Sequence, residues 1–289
     1  MRNEVKGVAL VAGATLFWSL SGVFVRWLPS VDPWTFNGWR GLGMGLALMV
    51  WTVLHYGPGA VALFRHTNPV AVLIVASFFA AGSSMYILAM QLASIAAVSC
   101  LGATSCLFAA LLARVWLGER TPPIFYAAMA VAMGGVAFVA LGESNASVSG
   151  LAGSIVALGM AICFAGQSVA LRRYQALDME PSMVVGGLSV FVVVAATVGL
   201  APVTTNTLLT LLLMGALQLA LPMLLFMRGA RHVAAVQMVL ITMADAFLNP
   251  LWVWIVHGEL PATAVYWGGA LILAAIATTT LAGKSERIH

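Results

Sequence analysis

Residues 233–256 read VAAVQMVLITMADAFLNPLWVWIV and are closed by His257-Gly258-Glu259. The stretch is long enough to cross a bilayer, which takes about 20 apolar residues for ~30 Å of hydrocarbon. It nevertheless carries Asp245 near its midpoint and an Asn249-Pro250 pair one turn later. On the insertion scale an Asp at the centre of a membrane helix costs roughly +2.5 to +3.5 kcal/mol, so this carboxylate is expected to face protein or water and not lipid.

The rest of the chain has the same apolar character. Only 8% of its residues are charged and 62% are hydrophobic, with a mean hydropathy of +1.02; a soluble domain is about one-quarter charged. An all-α integral membrane protein is therefore expected, with the lipid bilayer as its surroundings. Ten apolar segments fall at 6–27, 34–55, 69–91, 95–117, 122–141, 150–171, 181–200, 207–227, 233–256 and 262–281. Short breaks rich in turn residues separate them, such as Gly57-Pro58-Gly59 and Ser144-Asn145-Ala146-Ser147. The first segment is too long for a secretory signal and has no Ala-x-Ala site after it, so it is expected to stay as an uncleaved helix.

Orientation follows from the basic residues. With the N-terminus inside, the inner ends collect Arg2, Lys6, Arg65, Arg114, Arg120, Arg172, Arg173, Arg228, Arg231, Lys284 and Arg287, and the outer loops only Arg26. This asymmetry predicts both termini in the cytoplasm, most simply at a bacterial cytoplasmic (inner) membrane. The net charge of +4 is scattered over segment ends without a basic stripe, which argues against nucleic-acid binding. Cys100, Cys106 and Cys163 lie inside apolar segments and read as packing residues, so no metal and no cofactor is expected.

A repeat organises the ten segments. The run Val115-Trp116-Leu117-Gly118-Glu119 closes the fourth and Ile255-Val256-His257-Gly258-Glu259 the ninth. In that register Thr104-Ser105-Cys106 stands opposite Ala244-Asp245-Ala246, and Tyr86 opposite Phe226. Trp18 answers Phe164 in a slightly shifted register, and Asp32-Pro33 answers Glu180-Pro181. Five segments per half is an odd number, so the second copy must enter the membrane in the opposite sense. Two inverted five-helix repeats, 1–143 and 149–283, are thus predicted around a central cavity, and such cavities hold their sites near the midplane.

The paired halves, the Leu117-Gly118-Glu119-Arg120 turn with its looser echo His257-Gly258-Glu259-Leu260, and the proline-containing ninth segment together resemble the drug/metabolite transporter superfamily. Within it the chain is similar to the ten-span EamA-type exporters, over nearly its whole length. The resemblance implies an alternating-access carrier of small metabolites, amino acids or drugs, with a cavity walled by spans one to four and six to nine. One departure stands out: Ala109-Ala110 occupies the place of Asn249-Pro250 in the first half.

Depth selects the residues that could meet a solute. Asp245 lies ~18 Å along its helix at about 1.5 Å per residue, and Arg40 only ~9 Å from the start of span two. A zwitterionic amino acid would suit this pair, Arg40 forking the carboxylate and Asp245 facing the ammonium. The alternative is that the two side chains pair with each other or with backbone and lock two helices. Pro222 and Pro250 are candidate hinges, since each removes a backbone donor at membrane depth, while Asn249 beside Pro250 and Gln218 one turn before Pro222 are candidate substrate-binding residues. Gln218 could equally be interhelical glue. Trp18, Phe164, Tyr86 and Phe226 form a matched set of four rings that would favour an aromatic or bulky apolar solute, or would simply pack. The other tryptophans mostly sit near span ends, as an interfacial belt does. Gly41-x-x-x-Gly45 reads as a close helix contact, Glu119 as a cap of the following helix.

No phosphate loop, His-Glu-x-x-His, nucleophile elbow or acid cluster is present in the sequence, which speaks against an enzyme. Three transport alternatives remain: an amino-acid exporter with proton coupling through Asp245, a multidrug or quaternary-ammonium exporter, and a channel. Either carrier would be a monomer or a weak homodimer binding a small-molecule substrate.

Overall fold

The computed structural model describes residues 2–28, 31–92, 95–143, 151–258, 260 and 263–285; Glu259 and the 144–147 turn lie outside them. Every regular element described is helical: α1 (Arg2–Trp18), α2 (Ser21–Trp27), α3 (Pro33–Tyr56), α4 (Gly59–His66), α5 (Pro69–Leu92), α6 (Ile95–Ala103), α7 (Ser105–Leu112), α8 (Pro123–Glu143), α9 (Leu151–Arg173), α10 (Glu180–Thr197), α11 (Thr205–Met214), α12 (Leu221–Ala230), α13 (Ala235–Thr242), α14 (Asp245–His257) and α15 (Thr263–Ser285). Two π-helical turns, Ala113–Leu117 and Gly215–Ala220, continue α7 and join α11 to α12.

Among the described residues seven helices are long and apolar enough to cross a membrane, or eight if the α3 and α4 pair, bent by 117°, is one span. The expected first span does not qualify by length because it is broken at Ser19 and Leu20 into α1 and α2, and the fifth counts only as a shorter apolar helix. The outer surface is what lipid requires: Leu54 is 80% exposed, Val115 77% and Trp267 66%, a density of exposed apolar side chains that water would not tolerate.

Sequence signals fix several helix ends. Asp32 caps α3 by accepting the amide of Thr35 at 2.8 Å, with Pro33 opening the first turn where its missing N–H costs nothing. Gly118 and Gly258 both end their spans in the left-handed region, at φ 70° and 73°, which only glycine adopts without a steric penalty.

The mid-span breaks share a feature. At each, a hydroxyl bonds a carbonyl three residues back: Ser19 Oγ to Leu16 at 2.8 Å, Thr104 Oγ1 to Leu101 at 2.5 Å and Thr242 Oγ1 to Val239 at 2.7 Å. Such back-bonding satisfies carbonyls that the interrupted ladder frees and lipid cannot. The break expected at Asn249-Pro250 lies upstream, at Met243 and Ala244, and Pro250 sits inside α14. Thr104 interrupts the fourth segment at the equivalent register position without any proline, so proline is not what breaks these helices.

Helices pack in pairs: α8 with α15, α3 with α10, α5 with α9 and α10, α1 with α12, and α3 with the Gly215–Ala220 turn. Small residues set the closest of these approaches. A Cβ on Gly41 would meet the Gly187 carbonyl at 2.9 Å, and one on Gly187 would meet the Gly45 amide at 2.9 Å, so the Gly41-x-x-x-Gly45 face is a helix contact as expected.

Candidate functional site

Two broken helices meet at the centre. Asp245 is the first residue of α14, at the positive end of the helix dipole, which favours a carboxylate. Among the described residues no hydrogen bond to its side chain is found, and its Oδ1 is buried without a partner. Arg40 is 8% exposed and makes no ion pair with Asp245 or any other described acid. Its Nη1 donates to Gln218 Oε1 at 3.5 Å, its Nη2 to Asn37 Oδ1 at 3.3 Å, and its guanidinium lies 5.5 Å from the Phe36 ring centroid. The structure thus departs from a locking pair between the two: each stands uncompensated, a costly arrangement for a buried charge.

Tyr86 joins these groups. It lies deep in the molecule within electrostatic reach of both Arg40 and Asp245, yet it is 39% exposed. None of residues 80–86 of α5 is buried, although they cover nearly two turns of helix.

Three of the four matched rings converge. Trp18 lies 5.2 Å from Phe226 and 6.3 Å from Phe164, and Phe164 lies 6.1 Å from Phe226, centroid to centroid. Phe226 is fully buried while Trp18 and Phe164 remain partly accessible, so the trio is one aromatic cluster with two of its rings partly open. Tyr86 makes no ring contact with them. Gln218 belongs to the π-helical turn and links the polar groups to the broken first span, its Nε2 donating to the Trp18 carbonyl at 3.1 Å. Pro222 is buried in the first turn of α12, where its missing donor is tolerated.

Asn249 does not face the Arg40 group. Its Nδ2 donates to Ser21 Oγ at 3.0 Å, Trp252 Nε1 donates to Ser19 Oγ at 2.9 Å, and His257 Nε2 stands 3.3 Å from the Val23 carbonyl. These contacts bind α14 to α2, so the halves beyond the two breaks form one unit. Trp252 is therefore more than a belt residue. A double-mutant cycle on Trp252→Phe and Ser19→Ala should give a coupling of about 0.5–1.5 kcal/mol in thermal unfolding, the net worth of one hydrogen bond; additive effects would mean that the bond does not hold the unit together.

Ion pairs tie the elements together at the end that collects the basic residues. Arg172 Nε pairs with Glu119 at 3.2 Å and its Nη1 donates to the Ala230 carbonyl at 3.0 Å, while Arg231 pairs with Asp178 at 2.6 Å. Glu119, expected to cap the next helix, instead ties the fourth segment to the sixth and eighth.

Sequence reading missed Asn37, Ser83, Ser19 and Ser21. Asn37 had a signal: it precedes Arg40 by three residues, hence by one turn on the same helix face.

Residues 5–141 match the model of the EamA-like transporter family. Its members are membrane transporters of small molecules, and that coarse function fits the multi-pass architecture and the sequence's lack of enzyme motifs. No curated protein matches the chain. A solved crystal structure superposes with a TM-score of 0.83 at 18% identity, over 96% of this chain and 98% of its own, a likeness of fold.

Proposed function

We propose that this EamA-like chain is an alternating-access exporter of small zwitterionic metabolites, amino acids with aromatic or bulky apolar side chains in particular. The observation that carries it is the pair of uncompensated charges: an arginine without an acid and a carboxylate without a donor, both within reach of Tyr86. A solute with one group of each sign would satisfy both, and the Trp18, Phe164 and Phe226 cluster would take its apolar part.

Ten spans in two inverted repeats support this reading better than any other count. The packing pairs map onto themselves when span one is exchanged for six, two for seven, three for eight, four for nine and five for ten. Thr104 and Ala244 interrupt their spans at the same register, and Gly118 and Gly258 end them alike. With the termini on the cytoplasmic side of a bacterial inner membrane, the ion pairs of Arg172 and Arg231 close the cytoplasmic side and the accessible stretch at 80–86 belongs to an outward-facing state. Proton coupling would use Asp245, the carboxylate at the centre.

A second reading, export of lipophilic cations, is favoured by the same unpartnered carboxylate together with the aromatic cluster, and it needs no Arg40. Exchange in proteoliposomes separates the two. Arg40→Gln should cut exchange of a labelled aromatic amino acid about tenfold or more, the cost of one charge-assisted hydrogen bond pair, and leave a lipophilic cation carried as before. Equal loss of both solutes would return Arg40 to a structural role, and conductance without saturation would make the chain a channel.

A further inference from the structure

We propose that Asn37 completes an oxyanion subsite with Arg40 and makes the site select solutes that bear a carboxylate; this rests on the reading of Arg40 as the pole for the solute's negative group. Asn37 is 1% exposed and Arg40 8%. Both nevertheless keep a buried donor without an acceptor, Asn37 Nδ2 and Arg40 Nε. Buried donors almost always find acceptors, so two orphans on side chains one turn apart, bonded to each other, mark a missing partner.

The orientation of the amide is determined by its neighbours. Asn37 Oδ1 accepts from Ser83 Oγ at 2.8 Å and from Arg40 Nη2 at 3.3 Å. Turning the amide over would set its NH2 against a guanidinium that has no acceptor atom. The NH2 therefore points away from both, and Ser83 acts as the positioning residue that keeps it there. A carboxylate offers two oxygens and about four lone-pair directions, enough for one donor from each side chain. An ammonium offers neither an acceptor nor compensation for the buried guanidinium, and a neutral amine offers a single lone pair and no charge. Access comes from α5: Ser83 and Tyr86 lie one turn apart on its accessible stretch, and Tyr86 is within electrostatic reach of Arg40.

The test compares phenylalanine with phenethylamine, which lacks only the carboxylate, as exchanged solutes of the purified protein in proteoliposomes. Wild type should favour the acid, and Asn37→Asp should lower the acid-to-amine ratio of kcat/KM about tenfold or more, the equivalent of one hydrogen bond to a charged group. Ser83→Ala, which frees the amide without adding charge, should lower the same ratio about threefold. A wild type that prefers the amine would overturn the subsite together with the reading of Arg40. A wild type that prefers the acid, with the ratio intact in Asn37→Asp, would overturn the subsite alone. Should Asn37→Asp not be recovered folded, Ser83→Ala decides, and an unchanged ratio there rejects the proposal.

Discussion

Asp245→Asn should lower exchange of a zwitterionic or cationic solute about a hundredfold, since losing the counter-charge of a desolvated ion costs roughly 2–5 kcal/mol at 1.4 kcal/mol per tenfold. The same substitution should leave the protein at least as stable as before. Two effects oppose each other. A carboxylate in the first turn of α14 gains about 0.3–1 kcal/mol from the helix dipole, whereas an unsatisfied buried polar atom costs about 1–3 kcal/mol and a charged one more. The Oδ1 of Asp245 is buried without a partner, so the penalty is the larger. The net gain is then on the order of 1 kcal/mol, a rise of a few degrees in Tm. Transport falling while stability holds is the signature of a group kept for a solute. If exchange survives at the wild-type rate, Asp245 is no solute ligand; if Tm instead drops sharply, the carboxylate serves the fold.

Much of this arrangement was legible in the residues before any coordinates. The glycine ends at 118 and 258 and the Gly41-x-x-x-Gly45 contact derive from local chemistry that residue type reports directly. The positions of the breaks do not. Pro250 is the loudest breaker in the ninth segment, but the helix parts at Met243 and Ala244, where the Thr242 hydroxyl takes over a carbonyl from the ladder. Serine and threonine can face either lipid or their own backbone, and only the packed neighbours choose. Span one hid its break in the same way, because Ser19 gains its second bond from Trp252, 233 residues away in the chain. Of the candidate site, the two charges were visible as anomalies of depth. Asn37 was not, because an asparagine is cheap enough in a membrane helix to pass as glue, and its orphaned NH2 exists only once Ser83 and Arg40 are in place.

Gly215→Ala should be the most damaging single methyl in the protein. A Cβ there would run into the backbone carbonyl of Arg40, stand 2.7 Å from the Met44 amide nitrogen and 2.9 Å from the Gly43 Cα. From the other side, a Cβ on Gly43 would meet the Leu212 Cα at 2.7 Å. Every one of these obstacles is main chain, so no rotamer can move aside and the whole of α3 must be pushed off the π-helical turn. Overpacking of this kind costs about 1–3 kcal/mol or more, which at roughly 2–4 °C per kcal/mol lowers Tm by about 5 °C or more. Gly134→Ala serves as the control, because nothing lies within 4 Å of that Cβ in α8; there the gain in helix propensity should raise stability by about 0.5–1 kcal/mol. The damage should extend to the solute. Arg40 donates to Gln218 across this same contact at 3.5 Å, already near the limit of a hydrogen bond. Separating the helices further would release Gln218 from Arg40 and with it the tie to the Trp18 carbonyl at the break in span one. A Gly215→Ala protein that melts and exchanges solute like wild type would mean that the glycine contact neither holds the two helices together nor sets the place of the guanidinium.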